Sequence, residues 1–348
     1  MMSTARQGWR CRPRLLGKGI KPVVGLAVVA LAAAACGSGT GSGKGGTTTS
    51  NKTATTKVAA GQPSTGSSSG SLTFYMVTHA CPSDSFWPPV FNGAKAAAAS
   101  LGVTLHIVSL TSAQCGSIPA EVTNFQTALS AHPDGIAVTV TSATAFSAAL
   151  KKAQSENIPV VAVNTVPSNN NPSVNPYLAY VGQGNYQAGV GAGKEAASLF
   201  KLHSGDLVAV VDHEPYNISL TAREKGIAAG LSSAGIKPVD VNTTDNPSQG
   251  ATTVGAYITK NPNVKALLSL GSIGTTQIVT AIKQSGSGKK IHVGAFDLGT
   301  ATLHYIEQGQ VGFTVDQQPF LEGYYSVVEL YTHDRYGSQP EDFSTGPA

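Results

Sequence analysis

The stretch GIAVTVTSATAFSAALKKAQSENIPVVAVN, residues Gly135–Asn164, decides the fold class of this chain of 348 residues. Two short, β-branched apolar runs, predicted as strands Gly135–Val140 and Pro159–Asn164, flank a predicted helix, Ala143–Glu156. Apolar residues follow one another within each run, and polar or Pro/Gly turns bound it, as is typical of parallel strands buried on both faces. A strand, a helix and a strand at this spacing predict a doubly wound α/β layer.

The same alternation extends in both directions along the chain. Upstream we predict strands Thr73–Thr78 and Val103–Ser109 and helices Phe86–Leu101 and Ser117–Ala131. A Pro/Asn/Ser loop, residues 166–176, and a short extended piece at Tyr180–Val181 interrupt the pattern, which then restarts. The second series is predicted as helices Asn185–Leu202, Thr221–Ala234, Gln249–Asn261, Gly274–Ser285 and Thr300–Gln308, and strands Leu207–Val211, Val239–Asn242, Ala266–Leu270, Ile291–Ala295 and Gly312–Val315. Two α/β lobes fit the length better than one long sheet, and a final helix, Pro319–Tyr331, could belong to either lobe.

The first 35 residues predict a secretory signal peptide. Six Arg and Lys residues precede a short apolar run, Val23–Ala35, which is too short for a comfortable membrane-spanning helix. The small residues 33–35 stand directly before Cys36, as the peptidase that cuts bacterial lipoprotein signals requires. A lipid on Cys36 would hold the protein on the outer face of the cytoplasmic membrane. Leu31 lies further upstream than the usual lipobox places it, and a secreted protein with an incidental cysteine is the competing interpretation.

Residues 36–70 predict a disordered tether after the lipidated cysteine. The stretch is almost entirely Gly, Ser and Thr, with three lysines and no acidic residue, so it cannot bury enough apolar surface to offset its backbone entropy. Its root-mean-square reach is about 30 Å. A Ser/Thr-rich stalk carrying O-linked sugars is compatible with the same composition.

The positive charge of the chain belongs to these first segments. The formal charge is +4, yet nine of the 23 Lys and Arg precede Ser71, which leaves 14 basic against 19 acidic residues and a net charge near −5 from Ser71 onward. Nucleic-acid binding therefore loses its compositional support.

The cysteines separate by compartment. Cys11 leaves with the signal and Cys36 is the lipid site, so Cys81 and Cys115 remain as a pair in a domain exposed to an oxidising environment, where a disulfide is expected. A metal site is the competing interpretation, but two cysteines without a CxxC spacing or a nearby histidine cluster make a poor zinc motif.

Hydrogen-bonding side chains and a few aromatic rings follow the predicted strands. They are His79, Asp84, Phe86, Trp87, Thr139, Thr141, Asn164, Thr165, Asp212, His213, Asp245, Asn246, Ser272, Phe296, Asp297, Asp316 and Gln317. In parallel sheets, ligands bind outside the carboxyl ends of the strands. Amides and carboxylates bond paired hydroxyls, and aromatic faces cover the C–H side of a sugar ring, so the pattern indicates a polyhydroxylated ligand.

These residues, in this order, are where the chain resembles the class I periplasmic binding proteins of the ribose and galactose type, the solute-capturing components of ABC importers. The resemblance runs from about Leu72 to Tyr331. The segments that carry it are DSFW (84–87), AHPDGIAVTVT (131–141), NIPVVAVN (157–164), LTAREKG (220–226), NPNVKALLSLGS (261–272), VGAFD (293–297) and DQQPFLEGYYS (316–326). No single motif is specific, but seven in the right order are.

The resemblance implies two Rossmann-like lobes, joined by a hinge of three crossing segments, that close on the ligand. The first lobe is expected to comprise residues 71–182 and 318–345, and the second lobe residues 183–317. The ligand-binding residues carried over are Asp84, Phe86, Trp87, Thr139, Asn164, Arg223, Asp245, Phe296, Asp297 and Gln317.

Four positions depart from the ribose binders. Asn164 and Thr165 replace an Asp–Arg pair, Gly271 replaces an Asn, and Asp245 replaces an aromatic residue. Charge-assisted contacts to a ribose are thereby lost, so we expect a monosaccharide or a sugar-like polyol, not specifically ribose.

Several of the candidate residues have simpler interpretations. Phe86 and Trp87 could be core residues at a helix start, and Arg223 could be a solvated helix charge. Asp297 could cap the helix that begins near Thr300, and His79 and His213 are expected to be local hydrogen-bonding residues. Five glycines between residues 182 and 193 fit neither GxGxxG nor GxxxxGK[ST], and close helix packing explains them better.

The last residues, 341–348, enter the final crossing of the family and stop. The usual terminal strand is therefore expected to be missing, either by truncation or with an uncovered sheet edge in the second lobe.

The functional expectation is a non-enzymatic, monomeric binder that delivers its ligand to ABC permease subunits. No cofactor, metal or nucleic acid is expected. The effector domain of a sugar-responsive repressor would carry a helix-turn-helix where this chain has its predicted signal. A hydrolase would need a nucleophile beside a base, and the sequence contains no GxSxG or HExxH motif that would indicate such a pair. Two alternatives are a lipoprotein that reports ligand to a membrane sensor and a binder of a non-sugar small polar solute.

Overall fold

Two parallel β-sheets, each covered by helices, organise the computed structural model, which describes residues 71–167, 170–286 and 291–347. The predicted signal peptide, Cys36 and the tether lie outside the described residues. Within the described ranges, no helix combines the length and the hydropathy that crossing a membrane demands.

The elements alternate along the chain as the sequence predicts. The first series is β1 (Thr73–Val77), α1 (Trp87–Leu101), β2 (Thr104–Val108), α2 (Ile118–Ser130), β3 (Gly135–Val138), α3 (Ser147–Ser155), β4 (Val160–Val163) and β5 (Ala179–Gly182). The second is α4 (Asn185–Leu199), β6 (Leu207–Asp212), α5 (Ile218–Ser232), β7 (Val239–Asn242), α6 (Pro247–Lys260), β8 (Val264–Ser269), α7 (Ser272–Ser285), β9 (His292–Phe296), α8 (Thr300–Glu307) and β10 (Phe313–Val315). The chain then forms α9 (Pro319–Tyr336) and β11 (Phe343–Ser344).

The strands divide between the two sheets at the point where the sequence pattern breaks. The first sheet has the order β11-β5-β4-β3-β1-β2, and the second has the order β10-β9-β8-β6-β7. All pairs are parallel. Each sheet has a buried apolar cluster on both of its faces, which confirms the doubly wound plan in each lobe.

Helix α9 belongs to the first lobe. Its buried residues Val327 and Leu330 join the cluster that contains α1 and the first sheet, and Gly323 lies against the backbone of Val90. The helix runs five residues beyond its predicted end and stops at Gly337, whose left-handed φ of 62° ends it. Helix α3 begins four residues later than predicted, because Ser142 accepts hydrogen bonds from the amides of Thr144 and Ala145 in a turn before it.

Close helix packing accounts for two of the glycines that tempted a nucleotide-loop interpretation. Gly189 and Gly193 on α4 lie against the backbone of α5 at Arg223 and Ile227, where a Cβ would clash with the carbonyl oxygens. These two helices therefore cross without intervening side chains, as the sequence analysis predicted for small residues at this place.

The connections between the lobes lie side by side. Gln183 follows β5 and donates to the carbonyl of Pro347 at 3.3 Å, while Gln318, at the return after β10, accepts from the amide of Gly346 at 3.0 Å. Strand β11 pairs with β5 in the first sheet. In the second sheet β10 and β7 are the edge strands among the described residues.

Candidate functional site

A small cavity lies between the lobes where the carboxyl ends of both sheets meet. Its lining is polar apart from two aromatic rings, two leucines and one glycine. The lining residues are His79, Asp84, Phe86, Trp87, Asn164, Thr165, His213, Glu214, Asn217, Ser219, Leu220, Arg223, Leu270, Gly271, Asp297 and Gln317. A groove at Leu199, Ile282 and Val293 on the second lobe is mainly aliphatic and gathers few polar groups. Convergent hydrogen-bonding groups mark the interlobe cavity as the candidate site.

Two aromatic residues of the first lobe bring apolar surface to the cavity. Phe86 and Trp87 stand at the start of α1 and pack edge to face, with ring centroids 5.2 Å apart. Both are buried and both also belong to the core cluster of the first lobe, so they line the cavity and are core residues at the same time. A ring held on its far side by core packing offers a fixed apolar face to a ligand.

Asp84 joins the lobes across the mouth of the cavity. Its Oδ1 accepts a hydrogen bond from the amide of Phe86 at 3.0 Å and another from the hydroxyl of Ser272, in the second lobe, at 2.6 Å. Burial raises the pKa of Asp84, and both hydrogen bonds oppose that rise. The carboxylate thus has one contact that exists only while the lobes are together.

Asn164 is held from below by a buried glutamate that the sequence analysis did not single out. Its Nδ2 donates to Oε2 of Glu322 on α9 at 3.1 Å, and the hydroxyl of Thr165 donates to its Oδ1 at 2.9 Å. The hydroxyl of Tyr180 donates to its carbonyl at 2.8 Å. Burial raises the pKa of Glu322 to about 8. Asn164 has a left-handed φ of 62°, and these contacts fix its side chain at the end of β4.

Arg223 is the centre of the polar network in the second lobe. Only 2% of the residue is exposed, which excludes a solvated helix charge. Its guanidinium donates to Asn185, to the carbonyl of Leu270 and to Oε1 of Gln317, the last at 2.7 Å. The group also lies 4.3 Å from the centroid of the Phe296 ring.

Asp297 completes this network. Gln317 donates to its Oδ1, and the amide of Ser272 donates to its Oδ2 at 3.0 Å. Burial raises the pKa of Asp297 to about 6, while the charge of Arg223 opposes the rise. The interpretation of Asp297 as the N-cap of α8 was wrong. Gly299 is the N-cap of α8 and makes no side-chain cap, whereas Asp297 satisfies the first amide of α7, because its left-handed backbone turns it toward that helix.

Of the ten residues expected to bind ligand, three do not line the cavity. Thr139 lies beneath it, accepting from the amide of His79 at 3.0 Å and donating to the buried Glu121. Phe296 lies behind Arg223 in the core. Asp245 lies beside Glu214 and accepts from the hydroxyl of Tyr216 at 3.1 Å. The other seven meet at the cavity.

Two polar residues that the sequence analysis passed over, Glu214 and Asn217, line one side of the cavity beside His79 and His213. Glu214 is 4% exposed, its Oε2 accepts from Nδ2 of Asn217 at 2.8 Å, and Nε2 of His79 approaches from the other lobe at 3.6 Å. Burial lowers the pKa of both His79 and His213 to about 3, so both rings are neutral. The expectation that His213 is a local hydrogen-bonding residue was wrong, because its Nδ1 is buried without a partner.

A signal for this group exists in the sequence. Asp212, His213 and Glu214 stand in succession at the carboxyl end of β6, and Asn217 is the N-cap of α5, whose side chain accepts from the amide of Ser219 at 3.0 Å. A charged pair after a buried strand and before a capped helix is the position at which α/β sheets place ligand groups.

The predicted disulfide is present at the rim of the cavity. Cys81 and Cys115 are bonded, with their Cα atoms 5.6 Å apart. The loop they tie lies against the second lobe, where the hydroxyl of Ser83 donates to the carbonyl of Asp245 at 3.4 Å and Gly116 approaches the ring of Tyr216. The disulfide therefore fixes a part of the first lobe that meets the second lobe.

Comparison with known proteins places this geometry in context. The periplasmic binding protein domain profile matches residues 74–334. A xylose/arabinose-binding protein of Sulfolobus acidocaldarius is 29% identical over 234 residues, 64% of this chain, and the aligned region spans 57% of that relative's length.

Two solved structures are similar to the chain in both fold and sequence. A periplasmic sugar binding protein of an ABC transporter from Legionella pneumophila is 32% identical with a TM-score of 0.74, covering 79% of this chain and all of that one. A carbohydrate transporter from Acidothermus cellulolyticus, solved with myo-inositol, is 31% identical with a TM-score of 0.70, covering 80% of this chain and 93% of that one.

Proposed function

The chain belongs to the periplasmic binding protein domain family, and from that premise we propose that it captures a monosaccharide or a sugar-like polyol between its lobes and delivers it to an ABC importer. The family match covers most of the chain, and relatives bind xylose, arabinose or myo-inositol according to their descriptions. These solutes share adjacent hydroxyls and a ring with apolar C–H faces.

The observation that carries this proposal is the meeting of seven residues in one cavity. Asp84, Asn164, Arg223, Asp297 and Gln317 place carboxylate, amide and guanidinium groups around the space, and Phe86 and Trp87 close one side with apolar rings. Carboxylates and amide oxygens accept from sugar hydroxyls, and the guanidinium and amide nitrogens donate to them. The aromatic faces cover the C–H side of the ring.

Binding acts through closure of the lobes and requires no chemical step. Ser272 meets Asp84, and Asn217 lies 3.3 Å from His79, so contacts between the lobes surround the cavity. A ligand held there loses its access to water, which strengthens each of its hydrogen bonds. A permease that recognises only the closed arrangement of the two lobes would bind only the ligand-bound protein. No group lining the cavity is placed as a nucleophile beside a base, so we assign no enzymatic activity.

The proposed location is the extracytoplasmic face of a bacterial membrane. The signal-like start and Cys36 support a lipid anchor, and the Gly/Ser/Thr-rich stretch supports a flexible tether between that anchor and a monomeric folded domain. Substitution of Cys36 by Ser is expected to release the protein from the membrane fraction or to leave its signal uncut. A variant that is still processed and still membrane-bound would contradict the anchor.

The ligand class is tested by a thermal-shift screen of sugars, polyols, amino acids and nucleosides. A ligand at a hundred times its dissociation constant adds about 2.7 kcal/mol to the stability of the folded state. Gln317→Ala is expected to weaken the affinity for any sugar hit about ten- to a hundredfold. The substitution removes the hydrogen bond that Gln317 donates to Asp297 and any hydrogen bond between Gln317 and the ligand. Glu307→Gln, at an exposed site on α8, is the control. Stabilisation by amino acids alone would overturn the proposal.

A further inference from the structure

The cavity carries more acidic than basic charge, and the excess lies on one side. Among the described lining residues, Asp84, Glu214 and Asp297 are acids and Arg223 is the one permanent cation. Arg223 and Asp297 interact through Gln317 and offset each other. The remaining carboxylates, Asp84 and Glu214, have no cation opposite them in the cavity lining, because burial keeps the two histidines neutral.

A third carboxylate stands behind Glu214 and increases this excess. One atom each of His213, Glu214 and Asp245 lie within 4.8 Å of one another. Asp245 is 8% exposed, and apart from the carboxyl group of Glu214 its buried Oδ1 has no hydrogen-bond partner. The Nδ1 of His213 is buried and has no partner. Buried polar atoms without a partner are rare in protein interiors and mark a place where a further group can bind.

Two buried carboxylates side by side need a positive charge or a proton. Burial raises the pKa of Glu214 and of Asp245, and the charge of Asp245 raises the pKa of Glu214 further. Hydrogen bonds with Tyr216 and Glu214 lower the pKa of Asp245, so a proton at the pair is the default occupant. A ligand cation would replace that proton and complete the unpartnered acceptors. This ligand cation would also interact with Asp84 of the first lobe, whose negative charge already raises the pKa of Glu214.

The three side-chain atoms lie close enough together for one positive charge to interact with all of them. Acceptors placed tetrahedrally at about 2.8 Å from an ammonium nitrogen lie about 4.6 Å apart. The three atoms lie within 4.8 Å of one another, which accommodates this arrangement and also the shorter spacing around a metal ion. An ammonium group is the cation that a polyhydroxylated ligand can itself carry.

We propose that the ligand is an amine-bearing sugar or cyclitol. Its hydroxyls bind Asp297, Gln317, Arg223 and Asn164, and its ammonium donates to Glu214 and to the unprotonated ring nitrogen of His213, while Asp245 adds negative charge from behind Glu214. The inference rests on the proposed function, because it names the chemical class within the polyols that this cavity takes.

Isothermal titration of the purified protein with matched ligands tests the inference. The panel contains hexoses and cyclitols with one hydroxyl replaced by an amine, each beside its neutral parent and its N-acetylated form, all in EDTA. For at least one set the amine is expected to bind about tenfold to a hundredfold more tightly than both neutral forms. Parents that bind as tightly as their amines throughout would overturn the inference and leave the proposed function standing. No binding in the whole panel would overturn both.

Variants separate the cation site from the rest of the cavity. Glu214→Gln and, independently, Asp245→Asn are expected to reduce the ratio of amine to parent affinity to near one. Glu307→Gln removes an equal charge from the exposed surface and is expected to keep the ratio. An unchanged ratio in both site variants would overturn the inference. So would Zn²⁺ or Mn²⁺ alone binding without EDTA in a manner that Glu214→Gln abolishes, since the cation would then be a metal.

Discussion

The two lobes have the same plan and contribute different chemistry to the cavity between them. The first lobe brings aromatic rings, an amide and the carboxyl group of Asp84, with Phe86, Trp87 and Asn164 held by its core and by Glu322. The second lobe brings Arg223, the one permanent cation among the described lining residues, joined to Asp297 through Gln317. Aromatic contact thus comes from the first lobe, and the linked charges of Arg223 and Asp297 come from the second.

This difference indicates where orientation of the ligand is decided. The network of the second lobe is complete within that lobe, since its members are held by Asn185, by the carbonyl of Leu270 and by the amide of Ser272. Preorganised groups lose little freedom on binding, so we expect the second lobe to orient the hydroxyls and the first lobe to cover the ring. The predictions below test this division, from the largest effect to the smallest.

The largest effect is expected from breaking the charge network of the second lobe. Arg223→Met leaves Asp297 buried without its cation, which is expected to lower the free energy of unfolding by about 3–5 kcal/mol. Urea denaturation measures the loss. The double variant Arg223→Met/Asp297→Asn is expected to recover part of it, because no buried charge is then left alone. A double variant less stable than the single one would contradict the pairing.

The disulfide is the corresponding constraint in the first lobe. It closes a loop between residues 34 apart, so the double substitution Cys81→Ser/Cys115→Ser is expected to cost about 3–4 kcal/mol in the chain-entropy model. Urea denaturation of the oxidised protein and of this variant gives the difference. Because the loop meets the second lobe, ligand affinity is expected to fall as well. Unchanged stability would show that the bond does not constrain the unfolded chain.

Substitution of one amide side chain in each lobe sharpens the comparison. Asn164→Ala removes an amide of the first lobe and Gln317→Ala removes one of the second lobe. Loss of Gln317 also frees Asp297, so it is expected to weaken ligand binding about ten- to a hundredfold, whereas loss of Asn164 is expected to weaken it less than tenfold. Titration calorimetry with the ligand found in the screen decides, and the reverse order would place orientation in the first lobe.

A separate effect concerns the pH dependence of stability, to which Glu121 contributes in the first lobe. Burial raises the pKa of Glu121 to about 8, although the hydroxyls of Thr139 and Thr141 donate to its carboxylate. The folded state therefore favours the protonated form. Its contribution is complete below about pH 4.5 and is lost as the pH rises through about 8.

Glu121→Gln is expected to remove that dependence. Between about pH 5 and 8 the free energy of unfolding of the parent protein should fall more steeply than that of the variant, by up to about 1.4 kcal/mol per pH unit. Denaturation across this range, with Glu156→Gln on the surface as a control, measures the slopes. Parallel slopes would mean that Glu121 does not titrate there.

The positions of most cavity residues could be predicted because they follow strands. Apolar runs such as 160–163 can only be buried strands at this length, and whatever follows a parallel strand lies at its carboxyl end. Asp84, Asn164, Asp297 and Gln317 were found by that rule. Glu214 also follows a strand, two residues after Asp212. It was missed because the sequence does not say which of these two acids faces the cavity.

Other residues could not be found from sequence. Glu322 lies within α9, where a glutamate among Tyr, Phe and Leu resembles any solvated helix residue, yet it is fully buried beneath Asn164. Phe296 matched the resemblance well but lies in the core, because its neighbour Arg223 occupies the cavity side.

The sequence by itself determined the two α/β lobes, their order along the chain and the strand ends that supply the site, because hydrophobic periodicity and turn residues act locally. Only the tertiary structure decided which of those residues meet. Ser272 reaches Asp84 across 188 residues, and Glu322 reaches Asn164 across 158. Such contacts depend on how the lobes approach each other, and hence on packing that no local pattern of residues specifies.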